Sequence, residues 1–103
     1  MKFGLSEETI EKLRGVFARY PAVERAVLYG SRAKGNFKPG SDIDLTLCGT
    51  GLTGGELAGI EAEIDDLLLP FAVDLSLLDE LGQAELRAHV ERVGVPFYER
   101  RWS

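Results

Sequence analysis

Gly30-Ser31, then ten residues, then Asp42-Ile43-Asp44, constrains this chain more than anything else in its 103 residues. The segment is bracketed by two runs that read as strands. Val23 to Tyr29 is apolar, with Glu24 and Arg25 near its start. Asp42 to Cys48 alternates polar and apolar residues, the period of a half-buried strand. Between them Gly30 to Gly40 is rich in Gly, Lys, Arg and Ser, and Arg32 to Gly35 is suited to a short helical turn. The fold must therefore hold a strand, a glycine-serine turn and a second strand that carries two acids.

The remaining elements follow from their periodicity. Ser6 is placed to cap a helix whose first turn holds Glu7 and Glu8, where carboxylates favour the helix dipole. Ile10, Leu13, Phe17 and Tyr20 continue it at helical spacing, and Pro21 closes it. Gly49 to Gly55 reads as a loop with four glycines. Glu56 to Leu69 is an amphipathic helix on Leu57, Ile60, Ile64, Leu67 and Leu68, ended near Pro70. Phe71 to Leu78 is a third strand with Asp74 in its middle, and Gly82 to Val93 a last helix stopped by Gly94. Val95 to Tyr98 is a short edge strand. Helices alternating with strands predict an α+β (α/β) arrangement, a mixed β-sheet with helices packed on it. A chain of this length supports one domain over residues 1–103, burying about two-thirds of its unfolded surface.

Gly30 lacks a Cβ, so backbone there can approach a ligand closely. The amides after it, at a turn or helix start, would point at an anion, and the Ser31 hydroxyl can donate to a phosphate oxygen. Arg32, Lys34 and Lys38 add positive charge to an otherwise acidic chain. That is the layout of a phosphate cradle. Asp42 and Asp44, two apart on a strand, point to one face at a rise of ~3.3 Å per residue. Two carboxylates aimed at one point repel unless a cation lies between them, and Mg²⁺ takes oxygen ligands of this kind. A phosphate cradle opposite a carboxylate pair implies a metal-bridged nucleoside triphosphate. Asp74, flanked by Val73 and Leu75, is a charge in an apolar strand, and unpaired buried charge is costly. If its strand lies beside that of Asp42 and Asp44, the three acids could hold two metals roughly 3.5–4 Å apart.

These residues resemble the signature of the DNA polymerase beta-like nucleotidyltransferase superfamily. Gly30-Ser-Arg-Ala-Lys-Gly35 followed by Ser41-Asp-Ile-Asp-Leu45 is especially similar to its minimal nucleotidyltransferases, the MNT group. The resemblance, with Asp74 as third acid in strand context, covers essentially the whole chain. It implies that Asp42, Asp44 and Asp74 are catalytic and bind Mg²⁺, with Asp74 helping to activate an attacking hydroxyl. It implies that Gly30 and Ser31 hold the β- and γ-phosphates, with Arg32 an accessory phosphate or structural contact. The reaction would pass NMP from ATP to a hydroxyl with release of pyrophosphate. MNT proteins are commonly partnered with small helical HEPN proteins, many of them toxic ribonucleases that the MNT protein neutralises by binding and by adenylylating a tyrosine. The resemblance thus implies an antitoxin in a toxin–antitoxin pair.

Composition bears on the alternatives. A formal net charge of -5 argues against a broad basic face for nucleic acid. It suits a protein partner. One cysteine, Cys48, excludes an intrachain disulfide and suits a reducing compartment. The N-terminal residues lack the apolar core of a signal peptide, and the longest apolar stretch, Leu67 to Val73, is too short to span a bilayer. The chain reads as soluble and cytoplasmic. Asp42 and Asp44 alone would read as a solvated strand edge; Gly30-Ser31 at this distance turns the reading to a metal site. Lys34 and Lys38 read equally well as a solvated loop. His89 reads as a surface or cap residue, and Arg100-Arg101 as a partner contact or a frayed tail. Two other functions stay open. One is a nucleotide-binding module that neutralises a partner without turnover, and the other a subunit of a small-molecule nucleotidyltransferase.

Overall fold

The computed structural model describes residues 3–38, 40–80 and 84–100. Helix α1, Glu7–Ala18, begins where Ser6 Oγ accepts the Thr9 amide at 3.2 Å, and it buries Ile10, Leu13, Val16 and Phe17. Strand β1, Arg25–Tyr29, runs straight into the short helix α2, Gly30–Lys34. Strand β2, Ile43–Cys48, is followed by α3, Gly54–Asp66, and β3, Val73–Leu77. A 3₁₀ turn, Leu78–Glu80, precedes α4, Ala84–Val93, and β4, Val95–Glu99.

The four strands form one sheet in the order β3-β2-β1-β4. β1 is antiparallel to both β2 and β4, whereas β2 and β3 are parallel. A parallel pair needs a crossover, and α3 supplies it. The mixed sheet expected from the sequence is therefore present, and β3 does lie beside β2.

Alternation sorts the strands into two faces. Ala26, Leu28, Ile43, Leu45, Leu47 and Leu77 face α1 and α3 and form the main core with Leu13, Phe17, Ile60 and Ile64. The other face is covered by α4, where Val27 and Tyr29 pack with Val90. The end of α1 is tied to α3 through Glu63, which accepts from Arg19 Nε at 2.8 Å and from the Tyr20 hydroxyl. No helix of the described residues is long and apolar enough to cross a membrane.

Element ends differ from expectation for local reasons. α3 starts at Gly54 rather than Glu56, because Thr53 and Glu56 make a reciprocal capping box that draws two glycines of the expected loop into the first turn. It stops at Asp66, and Leu68 turns out of the helix at φ 53°. Asp42 lies just ahead of β2 rather than in it. Gly82 and Gln83, where the last helix was expected to begin, lie outside the described residues.

Candidate active site

The sheet register assembles the acids. Asp44 is opposite Asp74 across the parallel β2–β3 pair, and opposite Tyr29 across the antiparallel β1–β2 pair. Directly paired residues on neighbouring strands project to one face, with strands ~4.8 Å apart. Tyr29, Asp44 and Asp74 therefore form a row across three strands, on the α4 face at one end of the sheet. Asp42, two residues before Asp44, lies at the outer end and is exposed, as is Asp74, while Asp44 is half-buried. Asp74 needs no buried partner to justify its charge: solvent reaches it, and its neighbour is another acid.

Gly30 closes the row. Its φ is +74°, and a Cβ built on it would collide with the Asp44 carboxylate. Only glycine adopts this conformation freely, and only glycine leaves the acid its space. α2 begins at this residue with no side-chain cap on its first amides. Ser31 is half-buried in its first turn, and its carbonyl accepts the Gly35 amide at 2.9 Å, ending the helix on a left-handed glycine. Lys34 and Lys38 are exposed.

The electrostatics are those of acids crowded together. Burial first, then the charges of Asp74 and Asp42, push the Asp44 carboxyl above its ordinary value. Burial also raises the Tyr29 phenol; Ser76 pulls it back, and Asp74 and Asp44 push it further up. Tyr29 is thus a neutral aromatic floor to the acid row.

No group of three His, Cys, Asp or Glu side chains among the described residues is drawn together closely enough to hold a metal ion. The donor chemistry nonetheless fits one. All three acids offer hard oxygen ligands, and the raised Asp44 carboxyl is what a nearby divalent cation would reverse. The donors match the class of ion that the sequence implies, without yet converging on it.

Arg32 departs from the nucleotide-binding expectation. It is 3% exposed. Its Nε and Nη2 donate to the Ser41 carbonyl at 3.1 and 2.8 Å, and Nη1 donates to the Phe3 carbonyl at 2.8 Å. Phe37 and Phe71 lie over its guanidinium with ring centroids 5.2 and 4.8 Å away. Enclosed this way, the group has no face for a phosphate, and of the two roles expected for it the geometry takes the structural one. Grooves of ≈ 640, ≈ 490 and ≈ 290 Å³ elsewhere on the surface have none of the three aspartates in their walls.

Sequence reasoning missed two neighbours of the site. Tyr29 passed as the last residue of a strand, although a tyrosine directly before Gly30-Ser31 must lie beside whatever the turn binds. His89, expected on the surface or at a cap, packs edge-on against Tyr29 with centroids 6.4 Å apart. A lone histidine one helical turn from an apolar position carries no signal for this.

The family model described as Polymerase beta, Nucleotidyltransferase matches residues 11–102. No curated protein matches the chain. Solved structures share its fold. A toxin–antitoxin complex with AMP-PNP contains a chain 23% identical, with TM-score 0.70 over 94% of this chain and 76% of that one. The toxin–antitoxin complex MntA-HepT has one 18% identical, with TM-score 0.67 over 92% and 74%. A complex of a tri-AMPylated Shewanella oneidensis HEPN toxin with its MNT antitoxin has one 17% identical, with TM-score 0.67 over 93% and 74%. With the sheet order, the acid row at its end and a family match over nearly the whole chain in agreement, the chain belongs to the polymerase beta-like nucleotidyltransferases.

Proposed function

We propose that this chain is a Mg²⁺-dependent nucleotidyltransferase that passes AMP from ATP to a tyrosine hydroxyl of a small helical HEPN-type partner, and so acts as an antitoxin. The observation that carries the reading is the pairing of Asp44 with Asp74 across β2 and β3, beside Gly30 and two residues from Asp42. It is supported by the company its fold keeps. One complex with a chain of this fold holds AMP-PNP, and another holds a tri-AMPylated toxin.

Asp42 and Asp44, with Asp74, would hold Mg²⁺, which supplies charge neutralisation for the triphosphate and for the oxygens of the reacting phosphorus. Gly30 admits the triphosphate close to the backbone, and the amides that open α2 and the Ser31 hydroxyl donate to its β- and γ-phosphates. Asp74, exposed at the row's outer strand, accepts the proton of the incoming hydroxyl. The hydroxyl oxygen bonds to the α-phosphorus, the bond from that phosphorus to the bridging oxygen breaks, and pyrophosphate leaves. The acid row lies open on the sheet, so the wall of the acceptor site is left to the partner.

The test is label transfer in a lysate of the source cell, with purified protein, Mg²⁺ and ATP labelled at the α-phosphate. One labelled band of the size of a small helical protein, absent with Asp42→Asn and carrying AMP on tyrosine by mass spectrometry, supports the reading. ATP that binds without labelling any protein contradicts it and leaves a binding module.

A further inference from the structure

Arg32 is the one buried charged side chain among the described residues, and no carboxylate among them pairs with it. Burying a guanidinium is costly unless its donors are satisfied. Here two carbonyls and two aromatic faces do so. The packing is close: a Cβ on Gly4 would come within 2.9 Å of Arg32 Nη1. An apolar residue of similar volume could fill the space, but it would leave the carbonyls of Ser41 and Phe3 without these donors. Above all, it could not hold the carbonyl of Ser41.

That carbonyl belongs to the peptide plane from which Asp42 hangs, because a peptide unit is rigid from one Cα to the next. Arg32 fixes this plane through two donors on one oxygen. The following plane is fixed as well, since the Ile43 amide donates to the Ala72 carbonyl at 2.9 Å. Ser41 is itself stapled to Lys38: its amide donates to the Lys38 carbonyl at 3.0 Å, and its Oγ accepts the Lys38 amide at 2.9 Å. Asp42 is exposed, but the Cα that carries it is clamped on both sides.

We infer that Arg32 is a positioning residue, which holds the Ser41–Asp42 peptide plane so that the Asp42 carboxylate is presented alongside Asp44 to a divalent cation. The cation rests on the function proposed above; the clamp does not. A phosphate contact and a positioning residue make different predictions, and Lys separates them. Lysine keeps the charge and loses the fork that grips one oxygen twice.

The experiment uses the full ¹⁵N-labelled chain as Arg32→Lys, with Arg32→Met as the volume-matched variant should the lysine fail to fold. Without metal, the amide resonances of Asp42 and Ile43 move or broaden while those of Leu45 to Leu47 stay. Unmoved Asp42 and Ile43 amides overturn the inference. Mn²⁺ with ATP is then titrated by water-proton relaxation. Affinity falls roughly 10- to 100-fold, the cost typical of losing a group that orients a metal ligand. In an Asp42→Asn background the same substitution costs nothing further, because the pair acts as one unit. An equal cost in both backgrounds overturns the inference in favour of plain structural support. A wild-type chain that binds no Mn²⁺ with ATP contradicts the proposed function instead, and displaced Asp42 and Ile43 amides would still establish the clamp.

Discussion

The carboxylate of Asp44 fills the space that a side chain on Gly30 would need. The turn that begins α2 and the middle acid of the row are thus fitted to one another, and neither can change alone. Gly30→Ala must relieve a positive φ, at a cost of about 1–3 kcal/mol for a non-glycine residue, and also displace the acid. A shift of about 1 Å at a reacting centre is worth roughly 100-fold in rate. The variant is expected to remain folded by circular dichroism and to lose label transfer by about that factor. Full activity in a folded Gly30→Ala chain would contradict the fit.

Asp42 and Asp74 are exposed, so neither supports the core. Asp42→Asn and Asp74→Asn are expected to melt within a few degrees of wild type, because surface substitutions usually stay within about 0.5 kcal/mol. Both are expected to abolish transfer from α-labelled ATP. Transfer that survives in either variant removes that residue from the site.

Asp44 gives a dependence on pH in the metal-free chain. Its carboxyl is raised above its ordinary 3.8, chiefly by burial and then by its two acidic neighbours. The folded chain therefore holds this proton more tightly than the unfolded chain. Stability falls as pH rises from the ordinary value to the raised one, and the loss persists above it. Asp44→Asn removes the loss. In EDTA near pH 7 the variant is expected to melt higher than wild type, and below about pH 4 the difference should close. A variant that melts no higher than wild type near pH 7 would show that holding this carboxylate charged in its half-buried place costs the fold nothing.

How much of this was legible beforehand divides along physical lines. The long helices α1 and α3 and the strand β2 were expected from periodicity, because burial on one face enforces it, whereas Leu78, which opens the 3₁₀ turn Leu78–Glu80, was expected to end a strand. The pairing of Asp74 with Asp44 was conditional on strand order, which no local pattern encodes. The capping box at Thr53 and Glu56 was present in the sequence, but four nearby glycines read as a loop and obscured it. Arg32 was open between a phosphate contact and a structural one, because a basic residue after Gly30-Ser31 suits either. Its burial depends on Phe3, Phe37, Ser41 and Phe71, which only the fold brings together. His89 against Tyr29 joins α4 to β1 and has no sequence signal at all.

The C-terminal tail offers a test of the scaffold alone. Arg100 was open between a partner contact and a frayed end; it folds back on α1. Its Nη2 donates to the carbonyls of Ala18 at 3.2 Å and Tyr20 at 3.1 Å, and its Nε donates to Val23 at 3.2 Å. A cation at this end also favours the helix dipole. Arg100→Ala is expected to cost about 1–3 kcal/mol, seen as a drop of several degrees in melting temperature. Specific transfer by the folded fraction is expected to be unchanged. An unshifted melt would show that these bonds contribute nothing.

The central claim is that the acid row beside Gly30 transfers a nucleotidyl group, and one measurement tests it most directly. Purified protein and its helical partner are incubated with Mg²⁺ and ATP labelled either at the α- or at the γ-phosphate, and pyrophosphate is counted against label on protein. The account predicts label from the α-position only, one pyrophosphate for each nucleotide transferred, and loss of both with Asp44→Asn. Label arriving from the γ-position, or α-label that persists in Asp44→Asn, would contradict it.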